Sequence, residues 1–205
     1  MRDERGEDDD ALMLAYAAGD VRAFERLFQR HRAPLFTYLL HHTGRRGTAD
    51  DLFQEVFLRL VRSRAEFRPS GSFRAWLYRI AHNALADRMR RAALRSSEGQ
   101  DQPMDANTPE SWAESIPSRA REHDPVASSG ATDLREHIEA ALRKLPEAQR
   151  EVFLLRERAG LDLARIAEVT GANLATVKSR MRYALAGLRR QLARDLSSLP
   201  ESFHE

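Results

Sequence analysis

The chain has 205 residues, 42% of them hydrophobic and 31% charged, with a net charge of +2 and no cysteine. The length suits one large domain or two small ones, and the missing cysteine excludes disulfides, thiol catalysis and Cys-ligated zinc. The polar, acidic start MRDERGEDDD is unlike a signal peptide, and no apolar run approaches the ~20 residues a bilayer span needs, so a cytoplasmic chain with no membrane insertion is expected.

Glycine and β-branched residues are sparse while Ala, Leu, Arg and Glu abound, which favours helix. Residues 1–9 read as an acidic tail. Leu12, Ala15 and Tyr16 begin a first amphipathic helix. Asp20 then caps VRAFERLFQRHRAPLFTYLLHH, whose apolar stripe is Phe24, Leu27, Phe28, Leu35, Tyr38 and Leu39. Pro34 bends this helix or splits it. Thr48 is the expected cap of ADDLFQEVFLRLVRS, with Asp51 in the acidic position of a capping box and a stripe of Leu52, Phe53, Val56, Phe57 and Leu60. After a break at RPSG, Ser72 caps FRAWLYRIAHNALADRMRR. Residues 10–93 therefore form a first domain of four helices, or five if Pro34 splits one.

Residues 94–133 carry Pro103, Pro109, Pro117 and Pro125, four of the eight prolines, and show no apolar periodicity. They read as a flexible linker, with Trp112 its lone aromatic. Residues 134–196 return to helix and 197–205 form a C-terminal tail. LREHIEAALRKL spans 134–145, and Pro146 suits the first position of EAQREVFLLRER. Asp162 caps LARIAEVT, Gly171 breaks it, and Asn173 caps a last helix from Leu174 to about Leu196. No strand candidate stands out. The expected fold is all-α, two small helical domains joined by a flexible linker.

Charge is distributed unevenly. Residues 73–95 hold Arg74, Arg79, Arg88, Arg90, Arg91 and Arg95 against Asp87 alone, and residues 171–195 hold Lys178, Arg180, Arg182, Arg189, Arg190 and Arg194 against Asp195 alone. Two basic segments in a balanced chain read as two electrostatic footprints for nucleic acid. With only Lys144 and Lys178 as lysines, the richness in arginine also fits a simple compositional bias.

In DLARIAEVTGANLATVKSRMRY, the spacing of Ala167, Gly171 and Val177 is that of a helix-turn-helix. Ala permits close helix approach, Gly takes the left-handed turn, and Val anchors the second helix. Leu163, Ile166, Val177, Met181 and Leu185 are expected to share its core. The outer face then offers Thr176, Lys178, Ser179, Arg180, Arg182 and Tyr183. Lys178 and Arg182 suit guanine edges, Thr176 and Ser179 base edges or phosphate, and Arg180 phosphate. An ordinary helical hairpin with a solvated arginine face is the competing reading.

In the first domain, DDLFQEVFLRL sets Asp51, Gln54 and Glu55 beside apolar surface, a combination suited to a basic helical partner. FRAWLYRIAHNALADRMRR interleaves Phe73, Trp76 and Tyr78 with arginines. Exposed bases stack on aromatics and phosphates pair with arginine, so this pattern suits single-stranded nucleic acid. Some of these aromatics are core: periodicity sends Trp76, Leu77, Ile80, Ala84 and Phe73 inward and leaves Arg79, Asn83, Arg88 and Arg91 as the better DNA candidates.

Taken together these motifs resemble the extracytoplasmic-function (ECF) sigma factors, initiation subunits of bacterial RNA polymerase. DDLFQEVFLRL resembles region 2.2, FRAWLYRIAHNALADRMRR regions 2.3 and 2.4, and the segment from Leu145 to Leu185 region 4. The resemblance implies that Asp50, Asp51, Gln54 and Glu55 meet the β′ clamp helices of core polymerase, with the β flap as a further contact. It implies that Phe67, Arg68, Ser70 and Ser72 hold a flipped minus-ten base, with Arg79, Asn83, Arg88 and Arg91 on the same promoter element. Thr176, Lys178, Ser179, Arg180, Arg182 and Tyr183 would read the minus-thirty-five groove. It also implies control by an anti-sigma factor able to hold the chain at the membrane, in a stress or envelope response, no catalytic residue and no cofactor. Ala164 and Arg165 stand where the family often has two glutamates, and Asn173 where Pro or Ser is common. The rivals are a plain DNA-binding regulator, a protein that titrates an anti-sigma factor, and an enzyme. The seven histidines show no metal-ligand spacing, and adjacent His41 and His42 point about 100° apart on a helix.

Overall fold

The computed structural model describes residues 8–68, 72–97 and 137–197, and among them there is helix and no strand. The expectations for residues 1–7 of the acidic tail, Ser70, linker residues 98–133 with Trp112, and residues 198–205 of the C-terminal tail lie outside the described residues, whereas residues 94–97, expected as linker, and 197, expected as tail, are helical. The first bundle contains α1 (Asp9–Ala17), α2 (Val21–Thr43), α3 (Arg46–Arg62), a 3₁₀ turn (Arg64–Glu66) and α4 (Phe73–Ser97). The second contains α5 (residues 137–143), α6 (Glu147–Glu157), α7 (Leu163–Thr170) and α8 (Leu174–Ser197).

The acidic start is not simply a tail. Asp8 caps α1, accepting from the Asp10 amide at 3.2 Å. Asp9 receives Arg30 at 3.0 Å and the buried His31 at 2.9 Å. Burial acts to raise the Asp9 carboxyl, but His31 and Arg30 outweigh it and hold it below its ordinary value. Asp10 accepts from the Phe73 amide, so α1 supplies an acceptor at the first turn of α4.

Asp20 caps α2 as expected, accepting from Arg22 at 2.9 Å. The helix runs through Pro34 as one element. Leu35, Phe36, Tyr38 and Leu39, immediately after the proline, are all buried. Their packing holds the helix across the hydrogen bond that proline removes. Gly44, at φ 64°, ends it in the left-handed conformation.

Helix α3 begins two residues before the expected cap. Thr48 lies inside the helix, no side chain caps Arg45, and the Thr48 hydroxyl accepts from Arg88 of α4 at 3.2 Å. The stripe Leu52, Phe53, Val56, Phe57 and Leu60 is buried as its spacing requires. Phe53 and Phe57 meet Phe24, Phe28 and Phe36 in an aromatic cluster with centroid separations of 4.8 to 6.2 Å.

In the second bundle Asp162 and Asn173 cap α7 and α8, each accepting an amide at 2.8 Å, and Gly171 takes φ 66° between them. Pro146 sits at the cap position itself, one residue before the helix it was expected to begin. Ile166, Val169, Val177, Ala184 and Leu188 are buried, but Leu185 is 38% exposed. Four-residue steps from Val177 through Met181 to Leu185 drift about 40° each around a helix of 3.6 residues per turn, so Ala184 takes the inward position instead. Gly187 lets α8 approach the start of α6: a Cβ there would lie 2.7 Å from Leu145 Cδ2.

Candidate nucleic-acid interface

Three surfaces carry the candidate residues. On α3, Asp51 and Gln54 are exposed, and one turn on Leu58 is 55% exposed on the same side, an apolar contact that sequence spacing did not single out. Asp50 departs from the expectation: it is 3% exposed and faces inward. Glu55 is committed to ion pairs within the bundle, to Arg59 and, at 3.6 Å, to Arg91 of α4. Arg59 also binds Asp87 at 2.9 Å, and Asp87 binds Arg90. This network ties α3 to α4.

Helix α4 has Arg79, Asn83 and Arg91 exposed, while Arg88 is half-buried and held by Thr48. Two aromatics near this surface are buried. Tyr78 is buried edge-on against Tyr38 at 5.2 Å, with burial pushing its phenol up beyond the usual tyrosine range. Phe67 is 4% exposed and packs on Trp76 at 5.4 Å and Phe73 at 6.3 Å. It is therefore a wall rather than a free stacking platform. Arg68 is exposed, its guanidinium donating to the Ala65 carbonyl at 2.9 Å, and Ser72 caps α4 through the Ala75 amide at 3.3 Å. These residues line a cavity of about 460 Å³ with Trp76 and Arg79.

On α8, Lys178, Arg182 and Tyr183 are exposed, and Thr176, Ser179 and Arg180 are half-buried. Lys178 and Arg182 are four apart, hence on one face. Arg182 lies over the Tyr183 ring at 5.2 Å, a cation–π contact between two exposed side chains. The Ser179 hydroxyl donates to the Thr176 carbonyl at 2.9 Å.

The two bundles pack together, and sequence reasoning did not see how. Glu151 of α6 meets His82 of α4 at 2.6 Å and accepts from the Tyr38 hydroxyl at 3.4 Å. Its hydrogen bond to Glu151 raises His82, and the same contact holds Glu151 below its ordinary value although burial acts to raise it. His41 pairs with Glu139 at 3.2 Å. No local signal marks these residues, since partners such as His82 and Glu151 lie 69 positions apart. Among the described residues no three His, Asp or Glu side chains gather as metal ligands, and no helix is long and apolar enough to cross a membrane.

A helix-turn-helix with a basic outer face in one bundle and a basic, aromatic-backed helix in the other define a two-domain DNA-binding transcription protein. Residues 27–95 match the Sigma-70 region 2 family, and residues 135–188 match Sigma-70 region 4. The chain is 32% identical over 87% of its length to the ECF RNA polymerase sigma factor BldN of Streptomyces coelicolor, of which it spans 63%. It is 32% identical to SigK of Mycolicibacterium vanbaalenii, over 89% of this chain and 88% of that one, and 32% to SigM of Mycobacterium tuberculosis, over 90% and 84%. CnrH, solved in complex with the cytosolic domain of CnrY, matches with a TM-score of 0.63 at 26% identity, over 92% of this chain and 99% of that one. RpoE of Bartonella quintana, solved with the anti-sigma factor NepR, matches in fold with a TM-score of 0.62 at 21% identity, over 84% and 98%. The chain belongs to the ECF sigma factors of RNA polymerase.

Proposed function

We propose that this chain binds core RNA polymerase through the exposed face of α3, places α4 on the minus-ten element and α8 in the major groove of the minus-thirty-five element, and so directs promoter-specific initiation. The observation that carries this reading is the division of exposed side chains. Asp51, Gln54 and Leu58 form a mixed acidic and apolar face, while Arg79, Asn83 and Arg91 lie on α4 and Lys178 with Arg182 on α8. An acidic face matched to a basic partner sets orientation, and arginine faces supply phosphate attraction and base readout. Asp50 and Glu55 act behind that face, one buried and one tying α3 to α4. Arg68 and Ser72 edge the cavity that would receive an unstacked base, with Phe67 as its floor.

No step in this function is enzymatic. The site of action is the cytoplasm, at the promoter, and restraint by an anti-sigma factor fits the company of CnrH and RpoE, both solved with partners. Stress signalling is the expected setting.

The test is retention of bacterial core polymerase by the purified full chain, with an Asp51→Ala/Gln54→Ala variant beside it. Wild type should retain polymerase, and the variant should bind about tenfold more weakly, roughly 1.4 kcal/mol. Absence of retention by the folded wild type sinks the polymerase reading and leaves a plain DNA-binding regulator.

A further inference from the structure

The cavity beside α4 takes its shape from the first turn of that helix. Phe67 and Arg68 edge it on the side of the 3₁₀ turn, and Ser72, Trp76 and Arg79 edge it along α4. A pocket selects an unstacked base by fit to its outline and its hydrogen-bonding edge, so a small shift of that turn changes which base fits.

A helix start leaves amides without intrahelical partners, and α4 satisfies two of them in different ways. The Ala75 amide donates to the Ser72 hydroxyl, a neighbour in sequence. The Phe73 amide donates to the Asp10 carboxylate of α1, 63 positions away. Only the second bond fixes where α4 begins relative to another element. Beside it, Asp9 lies 3.6 Å from Arg74 Nε while also holding Arg30 and His31 of α2. The His31 ring in turn lies against Phe73 at 5.2 Å. At the 3₁₀ turn, Arg64 lies over the Tyr16 ring of α1 at 6.0 Å. Helix α1 thus touches the chain on both flanks of the cavity, just before Phe67 and just after Ser72. Leu12 and Met13 bury α1 in the core by themselves, so its attachment to the bundle does not depend on Asp10. A carboxylate that the core does not require is available to set the wall of a site.

We propose that Asp10 is a positioning residue for base selection at the minus-ten pocket, supported by Asp9. The acidic pair on α1 fixes the first turn of α4, and with it Phe67, Ser72 and Trp76, in the shape that accepts one base. Asp10 itself touches no DNA. The proposal rests on the reading of the α4 cavity as the minus-ten site.

The test uses holoenzyme assembled from core polymerase and the full chain, as wild type, Asp10→Ala, Asp10→Asn or Arg79→Ala. Each is given a pool of DNA duplexes with a single-stranded minus-ten segment, randomised in both promoter elements, and base preference is read from the sequences retained. Wild type should favour one base at its most selective minus-ten position. Asp10→Ala should lower that preference about fivefold, the scale of one hydrogen bond, and leave the minus-thirty-five preference unchanged. Asp10→Asn keeps an acceptor oxygen and should restore the preference. Urea melts should show each free variant folded in the absence of denaturant. An undiminished preference in Asp10→Ala, a loss spread equally over every position, an unfolded Asp10→Ala chain, or no rescue by Asp10→Asn overturns the proposal. Arg79→Ala changes the pocket wall itself and should flatten the same position. If it does so and Asp10→Ala does not, the positioning role alone fails. If wild type selects no minus-ten base, or Arg79→Ala leaves the selection intact, the minus-ten reading fails and the proposal with it.

Discussion

His42 shows how one residue reports the packing around it. It stacks on Tyr38 at 4.6 Å, its buried Nε2 has no hydrogen-bond partner among the described residues, and burial pushes it down from 6.5 to about 4. Glu151 opposes that shift, while Arg150, His41 and His82 add to it. Its folded value lies below the unfolded one, so its stability contribution is present above pH 6.5 and is lost as pH falls toward 4. His82 is raised, so its own contribution is complete below pH 6.5 and fades as pH rises through the folded value. Acidifying from pH 7 to pH 5 should therefore cost roughly 2 kcal/mol through His42, partly offset by His82. His42→Phe keeps the ring contact and should remove most of that loss, measured as the difference between urea melts at the two pH values. The sequence listed these histidines only as an unpromising metal set. Their titration is a tertiary property, because the groups that set it come from α2, α4 and α6.

The elements obeyed local rules closely wherever a cap or a stripe decided them. Asp20, Asp162 and Asn173 cap helices because each has a short side-chain acceptor ahead of an apolar period. Thr48 failed as a cap although it has the right chemistry. Arg88, forty residues on, draws its hydroxyl toward α4, and α3 extends back to Arg46. Leu185 failed as a core residue because the helix period, not a four-residue step, sets the buried line. The same line makes Gly187 a packing position. Gly187→Val should destabilise the chain by about 2 kcal/mol, because the added branch displaces Leu145 and this outweighs the gain in helix propensity. A denaturant melt followed by far-UV dichroism checks it, and a variant as stable as wild type shows that Leu145 yields freely.

At the scale of the whole molecule, a net charge of +2 hides two arginine-rich faces, on α4 and α8, and an acidic patch on α3. Promoter binding by the holoenzyme should weaken with salt, and Arg182→Ala should reduce the slope of log K against log salt by about 1 if its contact is to phosphate. If the slope holds and preference at one base pair relaxes instead, Arg182 reads a base. The all-helical fold, the helix-turn-helix and the order of three motifs were legible in the amino-acid sequence, because each depends on residues within a few turns of one another. Composition chose helix, periodicity chose the buried stripes, and glycine and capping residues chose the breaks. The tertiary structure alone decided which polar candidates stay accessible: it buried Asp50, bound Glu55 and Arg88 inside the first bundle, and turned Phe67 and Tyr78 into core. It alone also brought Glu151 to His82 and Tyr38, because no local period relates positions that meet only when two separately encoded bundles dock.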